Sequence, residues 1–446
     1  MKSLLFSSIP TGVLLLAGVM MFLSCQEPAR PEPYPNSDLI LEKLDASCTE
    51  AWLKVFLTRV DSPATQSIPI LLTRDGEAVQ SFAFTPPETL VVDEGLEPAH
   101  SYQYQAQRRS VHDNKVIASS NTLTVTTLDT TSHDFTWTID TLGEYGSYFN
   151  DVAIIDENNI WAVGMIRTDS ADYNAAHWDG ERWELIRVQP AGYGFGAINT
   201  VFPFSNDKIW MASSIGLLWD GNNFTGYGVV NGWPYGVGYI NAIWGSSPED
   251  VWFVGSGGSI VHYDGSGFTR MESGTDIGLR DIYGIATDKI WCVGYDDENG
   301  QAILLEYDGD TWRTKYEYGQ SGSEPINGTV WNTVWSSNHN LYLPTVNGLW
   351  QENFATKRGH FTNWHSILYN YYQIVKLQGN EDNDIMFVSN WSECFHFNGV
   401  NWRYYTELNN TVDSAFPRSL DFKGNKTAIV GRTGSDSRAF VMRGKR

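Results

Sequence analysis

From about residue 150 onward, short apolar stretches alternate with polar turns, and one unit keeps returning. It comprises an Asn-led apolar strand, a polar turn, a strand of the form Ile-Trp-x-Val-Gly, and an aromatic-Asp-Gly-x-x-aromatic hairpin. The clearest copy runs from Tyr239-Ile240-Asn241-Ala242-Ile243-Trp244-Gly245 through Val251-Trp252-Phe253-Val254-Gly255 and Tyr263-Asp264-Gly265 to Phe268. Its second-strand position is held successively by Trp161, Trp210, Trp252, Trp291, Tyr342, Met386 and Ala428, at spacings of 49, 42, 39, 51, 44 and 42 residues. A period near 45 with four short strands per copy predicts seven small antiparallel sheets. The fifth copy is irregular beyond Gly348-Leu349-Trp350, and the seventh is degenerate, stopping after a third strand at Ala439–Met442. Phe135–Asp140, ahead of the first copy, reads as a spare outer strand. Pairing it with the seventh copy would close the array and remove an exposed edge.

Residues 38–127 also alternate with period two, but without the repeat. Strand segments are expected within Asp38–Leu41, Ala51–Leu57, Ile70–Gly76, Gly95–Ala106 and Ser120–Thr127, with a hairpin at Asp75-Gly76. Ahead of them lie a basic Lys2, an apolar run Val13–Leu23 too short to cross a bilayer, and Phe22-Leu23-Ser24-Cys25. Four prolines between Gln26 and Pro35 then predict an extended tether.

Three resemblances follow from these residues. The leader resembles that of bacterial lipoproteins, with Phe22 in place of the usual leucine. This implies removal of 1–24, acylation of Cys25 and a tether over 25–37. Gln26 rather than Asp favours the outer membrane or cell surface. Gly95-Leu96-Glu97-Pro98, followed by Tyr102-x-Tyr104, resembles the tyrosine corner of fibronectin type III domains. Trp52 falls where that family places a core tryptophan, implying a sandwich over 38–127 and a linker over 128–134. The repeat resembles the seven-bladed β-propellers of exported bacterial proteins, covering 135–446. The expected fold is therefore all-β, a fibronectin type III-like sandwich followed by a seven-bladed propeller.

Composition supports this reading: 18 Trp, 22 Tyr, 21 Phe and 41 Gly favour strands and turns. The net charge of −22 disfavours nucleic acid and acidic partners. Beyond Cys25 remain Cys48, Cys292 and Cys394, which suggest neither a disulfide framework nor zinc. His177, His262 and His396 hold equivalent repeat positions, so no shared metal is expected. Asp296-Asp297-Glu298-Asn299-Gly300 misses calcium-loop spacing and reads as a hairpin turn. No nucleophile elbow, phosphate loop or dinucleotide fingerprint is present, and no cofactor or catalytic residue is singled out.

Two sets of candidate residues remain. Asn150, Asn199, Asn241, Asp281 and Asn332 precede the apolar pairs of the inner strands. They are expected as a polar ring at a channel mouth, either locking blades together or holding a ligand group. Tyr193, Phe195, Trp233, Tyr235, Trp364, Tyr369, Tyr371 and Tyr372 lie in loops expected on the channel-entry face, and exposed aromatics there suggest a binding surface. The reading is a surface lipoprotein whose propeller binds a glycan or protein without catalysis, anchored to the membrane by lipid alone. A propeller glycoside hydrolase or lyase is one alternative, and a structural subunit of an outer-membrane complex is another.

Overall fold

A computed structural model describes residues 38–60, 67–318, 326, 331–363, 373–408, 414–434 and 436–446. The expected signal, Cys25 and the tether lie outside the described residues. So do Trp364, Tyr369, Tyr371 and Tyr372. Among the described residues, no helix is long and apolar enough to cross a membrane.

Period-two strands build seven four-stranded antiparallel sheets, here called blades 1 to 7: 148–186, 200–227, 240–271, 279–318, 335–363, 374–405, and 416–445 joined by Thr136–Leu142. Each inner strand packs against that of the next blade, and blade 7 packs back against blade 1, so the sheets form a β-propeller ring around a channel. The closing pair has the expected partners: Val441 faces Asp140 and Met442 faces Ile139. The irregular fifth copy is nonetheless a complete four-stranded sheet, since Gly359–Asn363 supplies its outer strand.

Two features explain why the repeat has the residues it has. The inner strands of blades 1, 3, 4, 6 and 7 carry a one-residue bulge near the mouth. It drives a carbonyl onto the glycine ending Ile-Trp-x-Val-Gly. A Cβ on Gly164 would lie 2.2 Å from the Tyr148 carbonyl, and one on Gly255 would lie 2.0 Å from that of Tyr239. At the far end, each Asp-Gly turn places its glycine at positive φ while the Asp carboxylate accepts two amides. Asp264, for example, accepts from Ser266 and Gly267, with Gly265 at φ 85°.

The repeat tryptophans then weld blade to blade. Trp161 packs with Ile209 and Met211 of blade 2, Trp252 with Ile282 and Ile290 of blade 4, and Trp291 with Leu341 and Leu343 of blade 5. His177 and His262 stack on Trp161 and Trp252 at 4.7 and 4.0 Å. Their Nε2 atoms bond Asn159 and Asp250, and His396 bonds Asp384 in the same way.

The described residues between 39 and 126 form two facing antiparallel sheets, one of three strands and one of five, over an apolar core that includes Leu53, Ile70, Phe84 and Tyr104. The Tyr102 hydroxyl accepts from the Glu97 amide at 2.8 Å. Trp52 corrects the sequence reading. It points away from this core and is buried against the propeller, stacked on His339 of blade 5. The sandwich thus sits on the turn end of blades 5 and 6, opposite the channel mouth. There Cys48 Sγ and Asn383 Nδ2 both bond the Asp129 carbonyl, at 3.2 and 2.9 Å.

At this contact His339 bridges Asp45 of the sandwich (3.0 Å) and Asp382 of blade 6 (3.1 Å). The hydrogen bond to Asp382, opposed by burial and aided by the charge of Asp45, holds the His339 pKa above its usual value. Burial also raises Asp45, Glu50 and Glu381. These groups all bind protons more readily when folded, so their contribution weakens with rising pH. His339 supports the contact fully below about pH 6.5, and that support is lost as pH passes its higher folded pKa. His396, held below its usual value by burial, and Asp384, held low by His396 and Arg446 despite burial, pull the other way. A His339→Gln variant isolates the bridge. Limited proteolysis of linker 128–134 should accelerate more between pH 5.5 and pH 8 in the parent than in His339→Gln. Equal acceleration in both would refute the bridge as the pH-sensitive element.

Candidate functional site

The channel opens at the loop end of the blades into a cavity of about 1020 Å³. Four of the five predicted ring residues act identically. Asn150, Asn199, Asn241 and Asn332 donate from Nδ2 to the carbonyls of Ile198, Ile240, Leu279 and Ile374, each on the following blade, at 2.7–3.1 Å. The ring is a set of blade-to-blade locks.

Asp281 is not a member. Arg280 is the counterpart of Asn150, each being the bulge residue of its inner strand, and Asp281 lies one place deeper, level with Asp151. These two aspartates share a different task. Asp151 accepts from Thr200 Oγ1 and the Val201 amide of blade 2, and Asp281 from Thr333 Oγ1 and the Val334 amide of blade 5. Ser419 of blade 7 also donates to Asp151, and Asp421 accepts from the Ile154 amide.

One lysine balances this buried acid. Lys376 Nζ lies 2.7 Å from Asp281 Oδ1. Burial works against its charge, but Asp281 and Asp151 outweigh burial and raise its pKa. Burial raises Asp151, and it raises Asp421 to about 6 against the Ile154 hydrogen bond, with the charge of Asp151 adding to the rise. The carboxylate lone pairs are taken up by neighbouring blades, so these groups act as staples within the channel wall.

The predicted aromatics separate on inspection. Tyr235 is 86% exposed on the rim. Trp233, two residues earlier in the same loop, is 3% exposed, which corrects the expectation of an open face there. It packs on Phe253 and Phe268 above Gly216, whose missing Cβ leaves room for the indole. Tyr193 is a brace, its ring over Gly226 and Gly228 and its hydroxyl accepting from the Gly228 amide and Asn231 Nδ2. Phe195 is half-buried beneath the Arg187 guanidinium at 3.8 Å. Rim residues the sequence reading missed include Tyr145, Val230, Tyr239, Trp391 and Phe416, with Val230 88% and Trp391 69% exposed. Strand order places all of them on the mouth side, Phe416 at the start of an inner strand and the others in loops, a signal available once blade direction is known.

No family model matches the chain, and no curated protein does. Among solved structures, YCF48 bound to D1 peptide is similar over 70% of this chain and 95% of that chain, with 14% identity and a TM-score of 0.53. The extracellular domain of the hybrid two component system BT3049 from B. thetaiotaomicron matches 69% of this chain and 42% of that chain, at 15% identity and a TM-score of 0.49. PorZ, a surface component of the type-IX secretion system of Porphyromonas gingivalis, matches 67% of this chain and 39% of that chain, at 7% identity and a TM-score of 0.43. At such identities the likeness concerns fold alone, and the fold is a β-propeller.

Proposed function

We propose that this chain is an exported, lipid-anchored binding protein whose propeller takes a protein ligand on its channel-entry face without transforming it. One observation carries the reading. The rim exposes Tyr145, Val230, Tyr235, Tyr239, Trp391 and Phe416 around a rigid, polar-walled mouth, while the sandwich occupies the opposite end. Wet aromatics around a concavity are the residues that carry binding energy in protein interfaces. YCF48, of similar fold, is described as bound to a peptide. The anchor at Cys25 and the fibronectin type III kinship of the sandwich belong to the same proposal, supported by the leader and by the Tyr102 hydrogen bond.

Full-length protein in detergent should retain a protein from envelope extracts. Tyr235→Ala and Trp391→Ala should each weaken that retention about tenfold or more while leaving the urea midpoint unchanged. Retention undiminished in the double variant would sink the face as the binding surface. Retardation in a polysaccharide gel, abolished by Tyr235→Ala, would replace the protein ligand with a glycan.

A further inference from the structure

We propose that Arg418, supported by Arg432, forms a carboxylate-binding site in the blade 7 sector of the mouth, and that its occupant is an acidic peptide segment. This deepens the reading of the mouth as a protein-binding face and rests on it.

The four cations that line the channel among the described residues are not alike. Arg280 pairs with Asp297, Lys376 pairs with Asp281, and Lys423 donates to the carbonyls of Ile154 and Ile155. Arg418 is exposed at the mouth, and among the described residues no carboxylate lies within ion-pair distance of it. It is nevertheless held in place. Its guanidinium lies 4.5 Å over the Tyr148 ring, and Nη1 donates to Asn150 Oδ1 at 2.6 Å, while Asn150 is itself fixed by its lock to Ile198.

Arg432 stands on the adjacent strand, 4.5 Å over the exposed Phe416 ring, also without a carboxylate partner among the described residues. Stacking on a ring face leaves the N–H edges of a guanidinium free for a planar, two-oxygen acceptor. Two neighbouring guanidiniums repel each other, and a chain of net charge −22 has many carboxylates that could have neutralised them. Their place is left open where a ligand would enter. The overall negative charge acts weakly here, because salt screens exposed charges beyond about 8 Å. The exposed Phe416 adds apolar surface beside the Arg432 guanidinium, which suits a peptide carrying acidic and apolar side chains together.

Fluorescence anisotropy of the full chain tests this with a labelled octapeptide of alternating Glu and Leu and its Gln counterpart. The Glu peptide should bind about tenfold tighter, one charge-assisted pair's worth. The advantage should shrink with added salt, disappear in Arg418→Gln and survive in part in Arg418→Lys, with unchanged urea midpoints. Equal binding of both peptides, no binding of either, or an undiminished advantage in Arg418→Gln overturns the site. A phosphoserine peptide or an oligouronide that binds tighter than the Glu peptide through Arg418 overturns the choice of occupant. Equal peptide binding that is lost in Tyr235→Ala removes the carboxylate site but keeps the binding face. Binding indifferent to both Arg418 and Tyr235 removes the face as well.

Discussion

Replacing Lys376 by methionine is expected to lower the stability of the propeller by about 3 kcal/mol at pH 8, because it leaves a buried acid without its partner. The side chain of Asp281 is 4% exposed and accepts its charge-assisted bond from Lys376 Nζ at 2.7 Å, while Asp151 and Asp421 feel the same ammonium. Methionine keeps most of the stem's packing, so the loss reports charge rather than volume. The variant should recover part of its deficit as pH falls toward 5. Carboxylates deprived of a cation can escape by protonation, and Asp421, already near 6, goes first. Asparagine at 281 would still accept from Thr333 and Val334, so Lys376→Met with Asp281→Asn should regain most of the loss. Urea unfolding of the four proteins of this cycle supplies the measurement. A single-variant loss below about 1 kcal/mol, or a double variant less stable than Lys376→Met, would show that the staple is not electrostatic.

What was legible in the sequence was whatever local chemistry fixes. The tryptophan spacing, the Asp-Gly turns and the spare strand at Phe135–Asp140 each follow from one blade's needs, and the ring and its closure came with them. Register was harder. Counting back from the apolar pair set Asp281 beside the asparagines, one place off the register in which Gly284 matches Gly245 and Arg280 matches Asn241. Arg418 escaped notice for a related reason. It occupies the asparagine position of the blade that least resembles the repeat.

Burial decided by a distant element was the least legible. Trp52 alternates out of the sandwich core formed by Ala51, Leu53, Val55 and Leu57, and only the propeller covers it. Trp233 and Tyr235 share a loop and are both aromatic, yet lie at opposite extremes of exposure. The difference comes from Gly216 on the blade beneath, which no reading of the loop itself could supply.

That pair gives the second large effect. Trp233→Ala should cost about 3–5 kcal/mol, the range for truncating a buried tryptophan to alanine, and Tyr235→Ala should stay within about 0.5 kcal/mol of the parent. The indole Nε1 of Trp233 has no hydrogen-bond partner among the described residues, so Trp233→Phe loses volume but strands no acceptor there and should cost clearly less than alanine. Gly216→Ala approaches the same packing from below. Its new Cβ would meet Trp233 Cζ3 at 2.8 Å, forcing the ring outward and destabilising the loop without touching the tryptophan. If Trp233→Ala proved neutral in urea, the packing of the loop on blade 2 would be wrong and the rim would lose its rigid support. If it is as costly as expected, ligand loss in Trp233→Ala reports an unseated loop. Only Tyr235→Ala, which leaves the blade packed, can then distinguish a binding surface from a folding defect.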